Sequence, residues 1–302
     1  MDKVKTLKSG VRMADLDDLP HIATNYDMLF YHGTGAVSKS VELIEEFTRH
    51  CDKFSHVGVY TNPHLFPKYK DQLSSTEGLI FESTVDMSLT CKDTDQFDVI
   101  TGKPRYGVQL RHATPVIKKY LNVEHDSYIV LSKLKQNPWT DAKNHQSIIN
   151  LTQAYIDKYH NRNYEFNYLN LLSSAVEWLR PLRDAQNRLI YGCEAMKRPK
   201  LPIYDLGTSL SMQDCSNIVT KLESRADTKM LFCSEMAAMM YKMIKVISPM
   251  IYPPNIIPVD FLHMDLFDDP IYLVDKEQQP LFLEKYHKTV SNKNKQVLTK
   301  KK

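Results

Sequence analysis

Short apolar segments with partial alternation recur along the first half of the chain and predict β-strands. These segments are rich in β-branched and aromatic residues, which favour a pleated, half-buried surface. The predicted strands are DMLFY at 27–31, FSHVGVY at 54–60, LIFESTV at 79–85, GVQLR at 107–111 and YIVLSKL at 128–134. A further strand is predicted at 271–274, close to the end of the folded part.

Helical spacing of apolar positions appears in other stretches. It predicts helices at 41–50 (VELIEEFTRH), at about 141–160, at 167–179 and at 234–247 (SEMAAMMYKMIKVI). The last of these is rich in good helix formers and is followed by prolines that end it. A short segment at 258–262 follows. Strands and helices in this order predict a mixed α+β fold.

Composition shifts divide the chain into three parts, the second of which contains an insertion. Residues 1–22 form a polar N-terminal arm, and 23–284 form the main domain. Within that domain, 181–228 contain several prolines and little periodicity, which predicts an insertion or lid between two core elements. Residues 285–302 carry seven lysines and no acidic residue, which predicts a basic, disordered tail.

The bulk composition excludes several classes of protein. A hydrophobic content of 42% and a charged content of 25% are ordinary for a globular chain, and a net charge of +3 is too small to indicate a specific nucleic-acid partner. We expect neither a transmembrane segment nor a secretory leader, because no apolar run approaches the required length. The five scattered cysteines predict a reducing compartment, such as the cytoplasm.

Cys233 stands where a nucleophile could be activated, directly before the Met-rich helix. A thiol at the start of a helix faces unpaired backbone N–H groups and the positive end of the helix dipole, and both favour thiolate. The backbone N–H of Cys233 could also stabilise a developing oxyanion. On position alone, however, a buried cysteine is more often a small hydrophobic residue.

Two polar residues in predicted strands supply candidate partners. His56 lies in FSHVGVY, beside Gly58, and Glu82 lies inside LIFESTV. A strand histidine is often only a hydrogen-bonded core residue. An unpaired carboxylate in an apolar strand is expensive, however, and a neighbouring imidazole would be a suitable partner. Glu82 would then hold the His56 tautomer and stabilise the imidazolium.

FSHVGVY, then IFEST, then LFCSEMAAMMY in this order resemble the permuted papain-like amidases, relatives of the NlpC-type cysteine peptidases that include poxvirus members. Other segments also resemble parts of that family: DMLFYHGTGAVSKSVELI, GVQLRHATPVI, YHNRNYEFN and PVDFL. The resemblance covers roughly residues 25–265, interrupted by 181–228. The Asn-Cys-Glu-His-Phe box of the lecithin:retinol acyltransferase branch is missing, which argues against acyl transfer.

The resemblance implies a circularly permuted papain-like fold, with a small antiparallel sheet packed against the Cys233 helix. It implies a thiol hydrolase in which Cys233, His56 and Glu82 are catalytic and the substrate is a peptide, another amide or an acyl lipid. His32, in the turn after the first strand, and Tyr164, in YHNRNYEFN, are predicted to line the substrate cleft. A viral member would act in the host cytoplasm or the virion.

Other interpretations stay open beside this one. The chain could be a structural or virion-associated protein that keeps the fold without turnover, or an isopeptidase acting on a ubiquitin-like conjugate. No cofactor is expected. No metal is expected either, because the histidines and the cysteine around His56 match no zinc spacing. Nucleotide binding is not expected, because HGTGAVSK lacks the Gly-Lys-Ser/Thr ending of a phosphate loop.

Overall fold

Eight β-strands form one sheet in the computed structural model of the chain. The structure describes residues 3–7, 10–32, 54–73, 77–84, 97–103, 107–123, 127–160, 162, 203–222, 232–249, 253, 256, 258–277 and 279–280. The strands are β1 Val4–Thr6, β2 Arg12–Asp15, β3 Met28–His32, β4 His56–Thr61, β5 Leu79–Thr84, β6 Gly107–His112, β7 Tyr128–Ser132 and β8 Ile271–Val274.

Six α-helices lie within the described ranges. They are α1 Leu19–Ile22, α2 Ala113–Val123, α3 His145–Tyr159, α4 Met212–Lys221, α5 Cys233–Met243 and α6 Pro258–His263. Helix α5 packs against β4 and β5, and α3 packs against both α4 and α5. None of these described helices has the length and apolarity needed to cross a membrane.

The spatial order of the strands is β1-β2-β8-β7-β3-β4-β5-β6. Every neighbouring pair is antiparallel except β2 and β8, which run parallel. The central strands β3 and β4 pair from Met28 with Val59 to Tyr31 with His56. This register brings the end of β3 beside the beginning of β4, where His56 stands.

Alternation along the strands divides the core between the two faces of the sheet. On one face, residues such as Phe30, Val59 and Phe81 pack with α3, α4 and α5 in the larger apolar cluster. On the other face, Leu29 and Ile80 belong to a second cluster that α2 covers. Because successive strand residues point to opposite faces, a single strand serves both clusters.

The mixed α+β class predicted from the sequence is confirmed, but the prediction of a small antiparallel sheet is wrong. The six strands expected from their apolar alternation are all present. The sheet is extended by β1 and β2, which are only three and four residues long and partly charged. Their brevity hid them in the pattern, and the parallel β2–β8 pair makes the sheet mixed.

Two regions that were predicted to lie outside the core contain secondary structure that packs into it. Residues 1–22 were expected to be a polar arm, yet β1 and β2 join the sheet, and Leu16 and Leu19 are buried. Within 181–228, α4 contributes Cys215, Ile218 and Val219 to the larger core cluster. The predicted helices at 41–50 and 167–179, the basic tail and Tyr164 lie outside the described residues.

Candidate active site

Cys233 is the first residue of α5, and its thiol is buried at the start of that helix. The N-cap residue is Phe232, which has no side chain able to accept a hydrogen bond from the first turn. The helical ladder begins with Met236 N–H donating to Phe232 O at 2.9 Å. The N–H groups before Met236 therefore lack intrahelical acceptors, and one of them, on Ser234, donates to the Cys233 sulfur.

A second backbone donor reaches the sulfur from β4, at Val57. The register between β4 and β5 runs from Thr61 opposite Leu79 to Val59 opposite Phe81. Tyr60 exchanges its backbone bonds with the segment leading into β3. In an antiparallel strand the backbone groups alternate sides, so those of Val57 point the other way, toward β5. Because Val57 lies beyond the paired register, its N–H is available to the thiol.

His56 connects the sulfur to a buried carboxylate. Its Nε2 lies 2.6 Å from Glu82 Oε2, and its side chain also forms a hydrogen bond with Cys233. Since an imidazole has two nitrogens and Nε2 faces the carboxylate, Nδ1 is the nitrogen left for the thiol. The ring packs against Tyr31 at a centroid distance of 5.0 Å and an interplanar angle of 61°, which fixes its orientation.

Glu82 lies on β5 and is almost completely buried. Its Oε1 accepts a hydrogen bond from Arg111 Nε at 2.7 Å and a second bond from Arg111 Nη2. Its other oxygen, Oε2, is the one that faces His56. The carboxylate therefore divides its two oxygens between a guanidinium and an imidazole.

Gly58 allows these side chains to come together. A Cβ built at this position would lie 2.6 Å from Ile80 Cγ2, and 3.7 Å from both Glu82 Cβ and Tyr31 Cε2. The first distance is too short for any side chain unless Ile80 shifts, whereas the other two are ordinary van der Waals distances. Glycine is thus favoured where β4 passes Ile80, between the acid and the aromatic ring that flank His56.

The pKa values follow from these contacts. Burial alone would lower the pKa of His56, but the charge of Cys233, the hydrogen bonds to Cys233 and Glu82 and the charge of Glu82 raise it to about 10. Burial opposes ionisation of Cys233, but the His56 charge and the hydrogen bonds to its sulfur hold its pKa below the ordinary value. At neutral pH these shifts favour a thiolate beside an imidazolium.

The acid also remains charged. Burial raises the pKa of Glu82, but Arg111 and His56 outweigh that effect and bring it to about 2. The four side chains then carry two positive and two negative charges. Such a balance reduces the cost of burying them together, because each charge has an opposite neighbour.

The structure brings together the three residues that the sequence analysis named as catalytic: Cys233, His56 and Glu82. Arg111 was not predicted as a partner of the acid. A signal was present in GVQLRH, where a charged residue follows Val108 and Leu110 within an apolar strand. Only the β5–β6 register shows that Arg111 shares a face with Glu82.

The two residues predicted to bind substrate have different outcomes. His32 ends β3 and stacks on Tyr128, with ring centroids 4.4 Å apart and an interplanar angle of 19°. Phe54, two residues before His56, contacts the same Tyr128 ring at 5.9 Å. His32, Tyr128 and Phe54 thus form an aromatic cluster beside the start of β4. The substrate-binding role of His32 stays a prediction. Tyr164 lies outside the described residues.

A second buried carboxylate–imidazole pair lies at the far edge of the sheet. His160 Nε2 contacts both oxygens of Asp98, at 3.0 Å and 2.9 Å. Asp98 also accepts hydrogen bonds from the backbone N–H groups of Leu110 and Thr101. This pair fastens the turn at 97–103 to β6 and to the end of α3. Within the described ranges, no group of three or more His, Cys, Asp or Glu side chains is placed to hold a metal ion.

Comparison of the chain with protein-family models and with curated proteins gives no match.

Proposed function

We propose that the protein is a cysteine hydrolase that cleaves an amide bond, with Cys233 as nucleophile, His56 as general acid and base, and Glu82 as the residue that orients the imidazole. The observation that carries this proposal is the continuous set of hydrogen bonds from Glu82 through His56 to the Cys233 thiol. A nucleophile, its base and a group that orients the base are the parts that covalent acyl transfer requires.

In the first half of the reaction, the Cys233 thiolate attacks the carbonyl carbon of the substrate and forms a C–S bond. The negative charge moves to the carbonyl oxygen, and the backbone N–H of Cys233 at the start of α5 is the donor best placed to stabilise it. When the intermediate collapses, the C–N bond breaks. His56 gives its proton to the leaving nitrogen, and the acyl group remains on sulfur as a thioester.

In the second half, water attacks the thioester carbonyl. His56, now neutral, accepts a proton from that water, and the C–S bond breaks to release the carboxylic acid and regenerate the thiolate–imidazolium pair. Glu82 keeps the imidazole in place during both transfers, because Oε2 holds Nε2 while Nδ1 faces the reacting atoms. This chemistry requires a reduced thiol, which a reducing compartment would preserve.

The proposal is tested by trapping the acyl-enzyme. We expect p-nitrophenyl acetate to release a burst of nitrophenol equivalent to one thiol per chain, with the acetyl group recovered on the Cys233 peptide by mass spectrometry. Cys233→Ala should abolish the burst, whereas Cys215→Ala should retain it. Peptide p-nitroanilides, assayed in the same way, then test for amide cleavage. A wild-type chain without burst or adduct would contradict the proposal and favour a structural role.

A further inference from the structure

Arg111 has no role in the chemical steps above, yet it occupies half of the acid's hydrogen-bonding capacity. Its Nε donates to Glu82 Oε1 at 2.7 Å, and its Nη2 donates to the same oxygen. Both side chains are buried, with 8% of Arg111 and 1% of Glu82 exposed. We propose that Arg111 is a positioning residue that keeps Glu82 ionised and directs its second oxygen to His56, an inference that rests on the proposed cysteine hydrolase function.

The register shows that this contact is selective. Gln109, not Arg111, is the residue directly opposite Glu82, while Arg111 lies opposite Ile80. Arg111 and Gln109 share a face with Glu82, because residues two apart on a strand point the same way. Arg111 thus reaches the acid diagonally, across a distance that long side chains can span. Gln109 makes no hydrogen bond with either side-chain atom in the part of the chain that the structure describes.

The consequence concerns the charge state of the acid. A buried carboxylate without a cation takes up a proton more readily, because burial disfavours the charged form. A protonated Glu82 would no longer stabilise the His56 imidazolium, and the imidazolium in turn stabilises the Cys233 thiolate. Arg111 therefore extends the range of acidic pH over which the thiolate exists, although it touches neither sulfur nor imidazole in the contacts described above.

Other titratable groups near this pair come from four elements. His56 on β4 and Tyr31 on β3 interact with the pair directly, whereas Tyr120 on α2 interacts with Tyr31, and Cys233 on α5 interacts with His56. Burial raises the pKa of Tyr31 well above its ordinary value, so its phenol stays neutral across the acidic range. Two cations, Arg111 and His56, act on Glu82. Arg111 keeps its charge at every pH of interest, whereas His56 loses its charge when it gives up its proton.

The test is the pH dependence of the iodoacetamide reaction with Cys233, followed by mass spectrometry from about pH 4 to pH 8. We expect Arg111→Met to slow the reaction about tenfold or more at about pH 5, corresponding to one unit of pKa, and much less at about pH 8. Gln109→Met is the matched control, since it removes a polar side chain from the same strand and face, and its profile should follow the wild type.

Arg111→Lys keeps the positive charge but loses the planar guanidinium that donates two hydrogen bonds. We therefore expect its Cys233 labelling rate at acidic pH to lie between those of the wild type and Arg111→Met. An Arg111→Met profile that superimposes on the wild type, or one that is reduced equally at every pH, would overturn the inference. If Arg111→Met does not fold, Arg111→Gln, which also removes the charge, takes its place under the same criteria. Failure of the proposed function itself is distinguishable, because wild-type Cys233 would then be unreactive at acidic pH.

Discussion

The two cysteines in the described part of the chain, Cys233 and Cys215, differ in chemistry although their positions are similar. Both are free and buried, and both lie near the beginning of a helix, α5 for Cys233 and α4 for Cys215. Burial and the charge of Asp214 raise the pKa of Cys215 to about 11, whereas the pKa of Cys233 is lowered. The start of a helix is therefore not sufficient to activate a thiol.

The difference lies in what satisfies the first turn of each helix. In α4, Ser211 caps the helix: its Oγ accepts from Asp214 N–H at 3.1 Å, and the Asp214 side chain accepts from Ser211 in return. This capping box occupies donors that a thiolate could otherwise use. In α5, the side chain of the N-cap residue Phe232 accepts no hydrogen bond. Backbone N–H groups of the first turn therefore remain available to the Cys233 sulfur, and His56 adds an imidazolium.

The two carboxylate–histidine pairs differ in how the carboxylate oxygens are used. Glu82 uses one oxygen for His56 and the other for Arg111, whereas both oxygens of Asp98 contact His160. Asp98 also binds backbone N–H groups and thereby fastens a turn. A buried acid beside a histidine is consistent with either a structural or a chemical role. The thiol on the far side of His56 is what distinguishes the first pair.

The largest effect is expected for His56→Ala, which makes the environment of Cys233 resemble that of Cys215. Without the imidazolium, burial dominates and the pKa of Cys233 rises. We expect its iodoacetamide reaction at about pH 6 to slow by about 100-fold or more, corresponding to about two units of pKa. Asp98→Asn is the control, because it disturbs the other histidine pair and should leave Cys233 unchanged. Equal losses in the two variants would show that the effect is general destabilisation.

A second prediction concerns Glu82→Gln and the stability of the fold. The pKa of Glu82 is about 2 in the folded protein against 4.5 for the ordinary group. The stability that its charge contributes is thus present above about pH 4.5 and is lost as the pH falls toward 2. We expect the free-energy difference between wild type and Glu82→Gln to shrink by about 3 kcal/mol over that interval.

Urea unfolding at a series of pH values measures this difference. The variant leaves Arg111 without its carboxylate at every pH, so a constant penalty should remain when the pH-dependent part has vanished. A difference that does not change between neutral and strongly acidic pH would contradict the assignment of a depressed pKa to Glu82.

The smallest effect is expected for Ser211→Ala, which removes the cap of α4. Loss of a serine cap costs about 1 kcal/mol of stability. Cys215 should stay unreactive toward iodoacetamide at neutral pH, because the variant frees backbone donors but supplies no imidazole. Activation of Cys215 to the level of Cys233 would show that the helix start alone is sufficient, against the comparison drawn above.

The sequence predicted the strands and helices whose apolar pattern is strong. Helices α3 and α5 and strands β3 to β8 were expected within a few residues of their observed bounds. Strands β1 and β2 were missed because three or four residues carry too little periodicity. Helix α2 was not among the predicted helices, because the predicted strand GVQLR was followed by no assigned element. Its Pro115 lies in the first turn of the helix, where proline is tolerated.

The site was predicted from residue chemistry combined with a family resemblance, not from geometry. An acid in the apolar strand β5, a histidine in β4 and a cysteine before α5 were each weak signals alone. Their three segments, in this order, resemble the permuted papain-like amidases, and that resemblance implied the catalytic set. Arg111 could not be identified in the same way, because its relation to Glu82 depends on a cross-strand register. The hydrogen bond from Val57 to the sulfur was also unpredictable, since it depends on where the β4–β5 pairing ends.

The most direct test of a thiolate–imidazolium pair is the pH profile of iodoacetamide labelling for Cys233 and Cys215 in the same folded chain. We predict that Cys233 reacts at least about 100-fold faster than Cys215 at about pH 6, where an ordinary thiol is almost entirely protonated. Its rate should change little up to about pH 8. A Cys233 rate that is negligible at pH 6 and rises only above about pH 8, in parallel with an ordinary thiol, would contradict the account.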